Sequence, residues 1–483
     1  MKKYATTFTK ICSLLFAIAI ILFTSCRKEN ITTDSNAKLS FSTDTLSFDT
    51  VFTTQGSVTY AFKVYNKNNE AVNISSIKLG GGSNSFFRLN IDGEAAENIT
   101  NYVLRGKDSM YIFAEVTIDP NNINNPFIIK DSVIFETNGN IQDVKLISWG
   151  QNAYYHGEKD AYTILRKSDF RDTTFIWKND KPHVVYGLLI IDSAVTLQIQ
   201  EGARIFMHGN SILYAYRNGK IQAIGSSTQK IYFQQDRLEP MFKDIAGQWG
   251  GIWLQEGSTQ NIFENVEIKN ADIGIILGGY LSGLISPNIA TEATLNKVKI
   301  KNSARNAIFA TSSILNAKNC LLYDSGKNLF AALKGGIYNV IHCTFANTNA
   351  GTFGRQVPNI LLANYAVINN NTEFADMNVH FYNNIIYGNM NDEIAIEINN
   401  NAAYNKVFEK NLIRTSKAIT YNFSTSNIIN QNPDFENNYD EKFWLKDISV
   451  CKDAAMILNP LISDDFNSQN RDSNPDIGCY EYR

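Results

Sequence analysis

Short runs of alternating apolar and polar residues recur along this chain, separated by Gly, Asn, Asp and Ser rather than by amphipathic stretches. Tyr60 to Tyr65, Met110 to Ala114 and Ser132 to Phe135 alternate with period two, as half-buried strands do. Between Leu39 and Gly150 such runs are divided by the turn signals Asn66-Lys67-Asn68-Asn69, Gly80-Gly81-Gly82 and Asn138-Gly139-Asn140. No extended stretch carries a strong 3.6-residue apolar period. The pattern predicts an all-β protein whose N-terminal part, residues 39–152, is a β-sandwich.

From His183 the pattern changes to short apolar strands with no helical crossovers between them, and it repeats. The template polar-apolar-x-apolar-x-polar fits the six-residue segments that begin at Asn265, Lys297, Asn319, His342, Asn384 and Asn411. Their first apolar positions, Val266, Val298, Cys320, Cys343, Ile385 and Leu412, are spaced by 32, 22, 23, 42 and 27 residues. The interval of 42 divides if Asn364-Tyr365-Ala366-Val367-Ile368-Asn369 is a further turn of the same repeat. Arg414 stands where the last segment should place its second inward residue, as at a fraying end. Continuous winding into a parallel β-helix over 160–430 satisfies this spacing, with 431–483 closing it. About ten coils stacked at about 4.8 Å give a rod roughly 50 Å long.

Several segments resemble known families. The order of strands in 39–152, with Val64-Tyr65-Asn66-Lys67-Asn68 and Val116-Thr117-Ile118-Asp119-Pro120, is similar to the immunoglobulin-like modules of bacterial surface proteins. The repeat region resembles the right-handed parallel β-helix family that contains pectate lyases. Gly247-Gln248-Trp249-Gly250-Gly251-Ile252-Trp253-Leu254 looks like a recurrent stretch of its lipoprotein members, and Arg471 to Glu481 like the ending of many exported β-helix proteins. The resemblance specifies fold more than activity, since the family ranges from lyases to proteins with no known chemistry.

The first residues bring in a compartment. Lys2, Lys3 and Lys10 precede a short apolar run from Ile11 to Phe23, which reads as a signal peptide over residues 1–25. Phe23-Thr24-Ser25-Cys26 resembles a bacterial lipobox, which implies that Cys26 is lipidated and that residues 26–38 tether the fold to a lipid bilayer, with the outer membrane favoured. More than one acyl chain is what makes such anchoring stable. The net charge of −3 and the lack of a long basic block remove the electrostatic footprint of a nucleic-acid binder.

Candidate chemistry is sparse. Cys320 and Cys343 share a template position one coil apart and are expected as reduced core thiols, whereas Cys451 and Cys479 are expected to form a disulfide in an oxidising compartment. The Asn-rich columns at the strand ends, His342 among them, read as stacked ladders at coil corners. Lyases on this fold need a base, and acidic residues that hold calcium, but no tight carboxylate cluster is visible. Calcium remains a conceivable cofactor and no other is indicated. Arg355 and Lys334 are the basic candidates, and Trp249, Trp253, Tyr280 and Tyr365 are the rings suited to stack on sugars. The leading expectation is a surface or periplasm-facing lipoprotein that binds extended polysaccharide. A polysaccharide lyase or glycoside hydrolase is the second reading, and a non-catalytic adhesin or structural surface protein the third.

Overall fold

The computed structural model describes residues 30–482 apart from 54, 97, 120–125, 167–172, 280–289, 349–353 and 438–440. Among these the chain is all-β, with long parallel sheets, two one-turn 3-10 helices and no α-helix. It divides into two compact units, Met1–Gln151 and Asn152–Arg483.

The first unit contains a six-stranded and a five-stranded sheet whose apolar residues form one core. Ser109–Val116 shows why: Met110, Ile112, Ala114 and Val116 are buried and the residues between them exposed, so one face enters the core and the other meets water. Phe127–Thr137 and Asn140–Gln151 form the longest hairpin, turned at Asn138 and Gly139 with φ of 50° and 77°. Ile31–Thr32 pairs in parallel with Ala71 and Val72. Asn138 and Asn140 donate amide hydrogens to the carbonyls of Asp34 and Ser35 at 3.1 and 2.7 Å. The tether expected over 26–38 is therefore built into this unit from Ile31 onward, because its carbonyls meet the side chains of the hairpin turn.

The second unit is a stack of coils whose strands form three parallel ladders. The first ladder has eleven strands, from Tyr154–His156 to Ile428–Ile429, so coiling begins ahead of residue 160. The second runs from Tyr162–Leu165 to Ile394–Glu397, and the third from Thr173–Trp177 to Tyr404–Glu409. Inward residues of all three, such as Leu213, Ile221, Phe233, Ile252 and Ile268, form one continuous apolar core. Ten intervals of about 4.8 Å make this stack roughly 50 Å long.

Register in the first ladder agrees with the repeat down to Cys343 and then departs from it by one residue. Cys320 lies beside Cys343, as Leu321 pairs with Thr344, but the next pairs are Thr344 with Ile385 and Ile385 with Leu412. Asn384 and Asn411 therefore follow Cys343 inward, and Arg414 points outward. The left-handed corner residues are Asn265, Lys297, Asn319, His342, Asn383 and Lys410, with φ between 49° and 58°. Asn383-Asn384 offers two residues able to adopt that conformation, and the structure uses the first.

The second of each pair builds an interior amide ladder. Asn384 Oδ1 accepts from the Cys343 amide at 2.8 Å, Asn411 Oδ1 from both nitrogens of Asn384 at 2.9 Å, and Asn427 Oδ1 from those of Asn411 at 2.9 and 3.0 Å. Every amide also donates to a carbonyl on the third-ladder strand of the preceding coil, at Val340, Phe381 and Phe408. Asn364 stays outside this column. Its carbonyl accepts from the Ala375 amide at 3.0 Å and closes the base of an inserted hairpin, Tyr365–Ile368 with Asn371–Phe374. Its side chain donates to the Asn399 and Ala402 carbonyls of the next coil, so the long interval is one enlarged coil and not two.

The C-terminal segment lies along the outer face of the first ladder rather than across the end of the stack. Phe435, Phe443, Cys451, Phe466, Ile477 and Cys479 cluster with the outward Leu321, Tyr323, Ala346, Ile385 and Leu412. Lys297 to Asp464 (2.5 Å), Lys301 to Glu441 (2.6 Å) and Tyr323 to Glu441 (2.7 Å) flank that contact. The expected Cys451–Cys479 bridge is not formed: both are buried free thiols, as are Cys320 and Cys343. The Cys451 carbonyl pairs with the amide of Ile477 at 2.9 Å, while the Cys479 amide is drawn to Thr344 Oγ1 at 3.1 Å. That register sets the two thiols beside different neighbours.

At the first coils, Trp177 stacks on His156 and His183 at 4.4 and 4.8 Å. His183 Nε2 donates to the Lys178 carbonyl at 2.7 Å, leaving its Nδ1 to accept from His156 Nε2 at 2.8 Å. Burial, with His183 adding to it, pushes His156 down to about 3, and burial lowers His183 as well. Below about pH 6.5 the unfolded chain takes up protons that these folded rings refuse. Stability should thus fall as pH drops below about 6.5, by up to about 1.4 kcal/mol per pH unit for each ring that stays neutral in the fold, with the His156 contribution continuing toward about 3. Melting curves across that window check this, and His156→Phe should flatten the slope. Asn411→Ala leaves both nitrogens of Asn384 without their acceptor and should cost on the order of 3 kcal/mol in urea unfolding. Asn405→Ala, which removes an exposed amide contact to Asn378, should change little.

Candidate ligand-binding face

Because the ladders are parallel and in register, each outward template position becomes a column running along the stack. The three outer faces differ in chemistry. The third ladder carries Gln198, Gln222, Ile262, Thr294, Asn316, Asn339 and His380 in one column. The first carries Arg204, Tyr232, Glu267 and Lys299 in one column, and the C-terminal segment meets it at Lys299 through Glu441 at 3.8 Å.

The second is apolar and aromatic throughout: Ile164, Ile190, Tyr214, Trp253, Ile276, Phe309, Ala331, Leu361 and Ala395 succeed one another, one per coil. Ile276 and Ala331 are buried and the rest partly exposed. Contiguous exposed apolar strips of this kind are uncommon on the surfaces of soluble proteins.

Gly251 sorts the two tryptophans. Its φ is 124°, and a Cβ there would lie 1.9 Å from the Ile273 carbonyl of the next coil, so only glycine fits. This conformation resets the strand alternation, which places Trp249 in the core and Trp253 outside. Trp249 is 1% exposed and donates to the Lys269 carbonyl at 2.9 Å, so it is not a ligand contact. Trp253 donates to the Gly278 carbonyl at 2.9 Å and meets Tyr214 edge to face at 5.2 Å, which fixes the orientation of both rings.

The inserted hairpin adds a side wall to this face. Tyr365 donates to Glu397 Oε2 at 3.0 Å, and that hydrogen bond holds its phenol above the usual range. A cavity of about 190 Å³ there is lined by Gly279, Phe309, Thr311, Leu333, Tyr365 and Glu397, among others. Of the four rings singled out in the sequence, the fold brings Trp253 and Tyr365 to one face, sends Trp249 inside, and leaves Tyr280 outside the described residues. Tyr214 and Phe309 carry no motif, and only the strand register reveals them.

The basic candidates are structural. Arg355 forms two 2.8 Å bonds to Glu393, which is fully buried and also accepts from the amides of Asn359 and Met390 at 3.1 and 2.9 Å. Lys334 pairs with Glu373 of the hairpin at 2.5 Å. Arg355→Met should therefore destabilise by on the order of 3–5 kcal/mol, since it strands a buried carboxylate. Lys334→Met should change stability by no more than about 1 kcal/mol. Denaturant midpoints distinguish these from the similar, small effects expected of two ligand-contact residues.

One titratable group escaped the sequence reading. Tyr186, His208 and Asp236 occupy equivalent positions on three successive coils, in the turns leading from the first ladder to the second. His208 Nδ1 is 2.6 Å from Asp236 Oδ2, and Tyr186 packs on the imidazole at 4.8 Å. The aspartate orients the ring and leaves the lone pair of a neutral imidazole on Nε2. Among the described residues no three His, Cys, Asp or Glu side chains converge as metal ligands. Cys26 lies outside the described residues.

No family model and no curated protein matches this chain. Among solved structures, the Vibrio cholerae VesB protease matches at 12% identity and a TM-score of 0.18, over 25% of this chain and 33% of its own. A family 123 glycoside hydrolase from Clostridium perfringens matches at 9% and 0.18, over 25% and 30%. This chain thus spans about a third of the length of these two. The catalytic domain of a GH87 α-1,3-glucanase in complex with tetrasaccharides matches over 77% of this chain and 90% of its own, at 9% identity and a TM-score of 0.17. Scores this low carry no argument about function.

Proposed function

We propose that the second unit is a right-handed parallel β-helix that binds an extended polysaccharide along the outer face of its second ladder. The observation that carries this reading is the uninterrupted apolar column through Tyr214, Trp253 and Phe309, with Tyr365 and Glu397 beside it. Rings held rigidly at coil spacing offer stacking surfaces at intervals close to the rise of one sugar residue in an extended chain. Hydroxyl groups of a glycan find Glu397 as acceptor at the hairpin wall. The absence of charge from the column favours neutral sugar faces over a run of uronates.

In the same proposal the first unit is an immunoglobulin-like β-sandwich, and the chain is a lipoprotein held through Cys26 at the outer membrane. Ile31 is already paired with Ala71, so few residues separate the acyl site from that unit. Cys26→Ser should release the protein from the membrane fraction with its melting temperature unchanged.

Affinity electrophoresis in gels containing neutral and acidic polysaccharides tests the binding role. Retardation by at least one polymer is expected. Trp253→Ala and Phe309→Ala should each weaken it by roughly tenfold, in line with about 1–1.5 kcal/mol per ring contact, while Tyr232→Ala on the first ladder should not. Unretarded migration in every gel, or equal effects from all three variants, contradicts the reading and favours the adhesin alternative. The His208–Asp236 pair favours a second reading, in which a lyase or hydrolase uses His208 as base. That reading requires new reducing ends or an unsaturated product, lost in His208→Ala.

A further inference from the structure

Arg414, which the repeat misplaces at an inward position, lies on the outer face of the first ladder near its last coils. Register sets Tyr387, Arg414 and Asn430 at equivalent positions on three successive coils. They line a cavity of about 510 Å³ together with Asp392, Ser416 and Asn432, among others. This site is on a different face from the aromatic column.

Its walls are locked by bonds between neighbouring coils. Arg414 donates one Nη1 hydrogen to the Gly388 carbonyl at 2.7 Å, and its guanidinium lies over the Tyr387 ring at 5.3 Å. Asp392 Oδ1 accepts from Thr415 Oγ1, the Ser416 amide and Ser416 Oγ at 2.9, 2.7 and 3.0 Å. Burial opposes the charge on Asp392, but these hydrogen bonds and Lys417 hold its carboxyl below the usual range. Asn430 bonds through both ends of its amide to the backbone of Thr415 at 2.9 Å.

A guanidinium and a carboxylate thus line one cavity, and Arg414 forms no ion pair among the described residues. Each is held by bonds to the adjacent coil instead of collapsing onto the other. Arg414 keeps Nε and Nη2 donors for a planar anion, and Asp392 Oδ2, which otherwise receives only Ser416 Oγ at 3.2 Å, keeps acceptor capacity. The remaining lining of amides and a hydroxyl suits a polyol. We infer that this cavity binds one sugar-acid residue, its carboxylate on Arg414 and its hydroxyls on Asp392. The inference is independent of the aromatic column, and the residue recognised is either a free sugar acid or an acidic unit of a glycan.

Calorimetric titration of the full chain with glucuronate and galacturonate, with short oligouronides, with glucose and with acetate tests it. At least one uronate probe should bind tenfold or more tighter than both glucose and acetate. Stronger binding of oligouronides than of monosaccharides identifies a glycan unit, and equal binding a free sugar acid. Arg414→Met should abolish uronate binding, Arg414→Lys should retain part of it, and Asp392→Asn should weaken it at least threefold. Trp253→Ala should leave it unchanged, which separates this site from the polysaccharide face. Melting curves establish that each variant is folded, and Arg414→Lys serves if Arg414→Met is not. Acetate binding as tightly as uronate, or uronate binding unaffected in Arg414→Met or Arg414→Lys, overturns the assignment, as does the absence of uronate binding.

Discussion

The strands of each coil of the second unit satisfy their backbone hydrogen bonds through the coils above and below, and the arrangement of this unit follows from that parallel register. A parallel ladder keeps equivalent residues one above another at about 4.8 Å. A single inward position therefore becomes a core column and a single outward position a surface column. Polar groups caught inside must then satisfy one another along the stack. The Asn384–Asn411–Asn427 ladder meets that demand, each carboxamide donating to a strand end and accepting from the coil before it.

The same constraint gives the three outer faces different chemistry. The polar third face bonds to itself, as Asn339 does to Asn316 and to His380. Much of the first face is occupied by the C-terminal segment, whose apolar residues need the outward Leu321, Tyr323 and Ile385. The second face keeps an apolar column in which Trp253 is oriented by its hydrogen bond to Gly278 and by its edge contact with Tyr214. An oriented ring loses less entropy on meeting a ligand, so its contact energy is more fully expressed as affinity.

Much of this was legible in the residues. Alternation and spacing foretold strands, coils and the stacking of Cys320 on Cys343. The corner column was read correctly from Asn265 to His342. It slipped at Asn383-Asn384, because two adjacent residues can each adopt a left-handed corner and only the bonds made to the next coil decide between them. Arg414 was misjudged for the same reason. The tryptophans of Gly247 to Leu254 were inseparable without knowing that Gly251 resets the alternation. Arg355 looked like a ligand contact because its partner, Glu393, is 38 residues away in sequence. Tyr214 and Phe309 belong to no motif at all, and their common face exists only once the coils are in register.

The central claim is that the outer face of the second ladder is where an extended glycan lies. Hydroxyl-radical footprinting of the whole protein, with and without a retarding polysaccharide, measures this ring by ring. The account predicts that Tyr214, Trp253 and Phe309 lose reactivity together when the polymer is present, while Tyr232 on the first ladder keeps its own and Trp249 stays unreactive throughout. Protection of Tyr232 with Trp253 left reactive would contradict it.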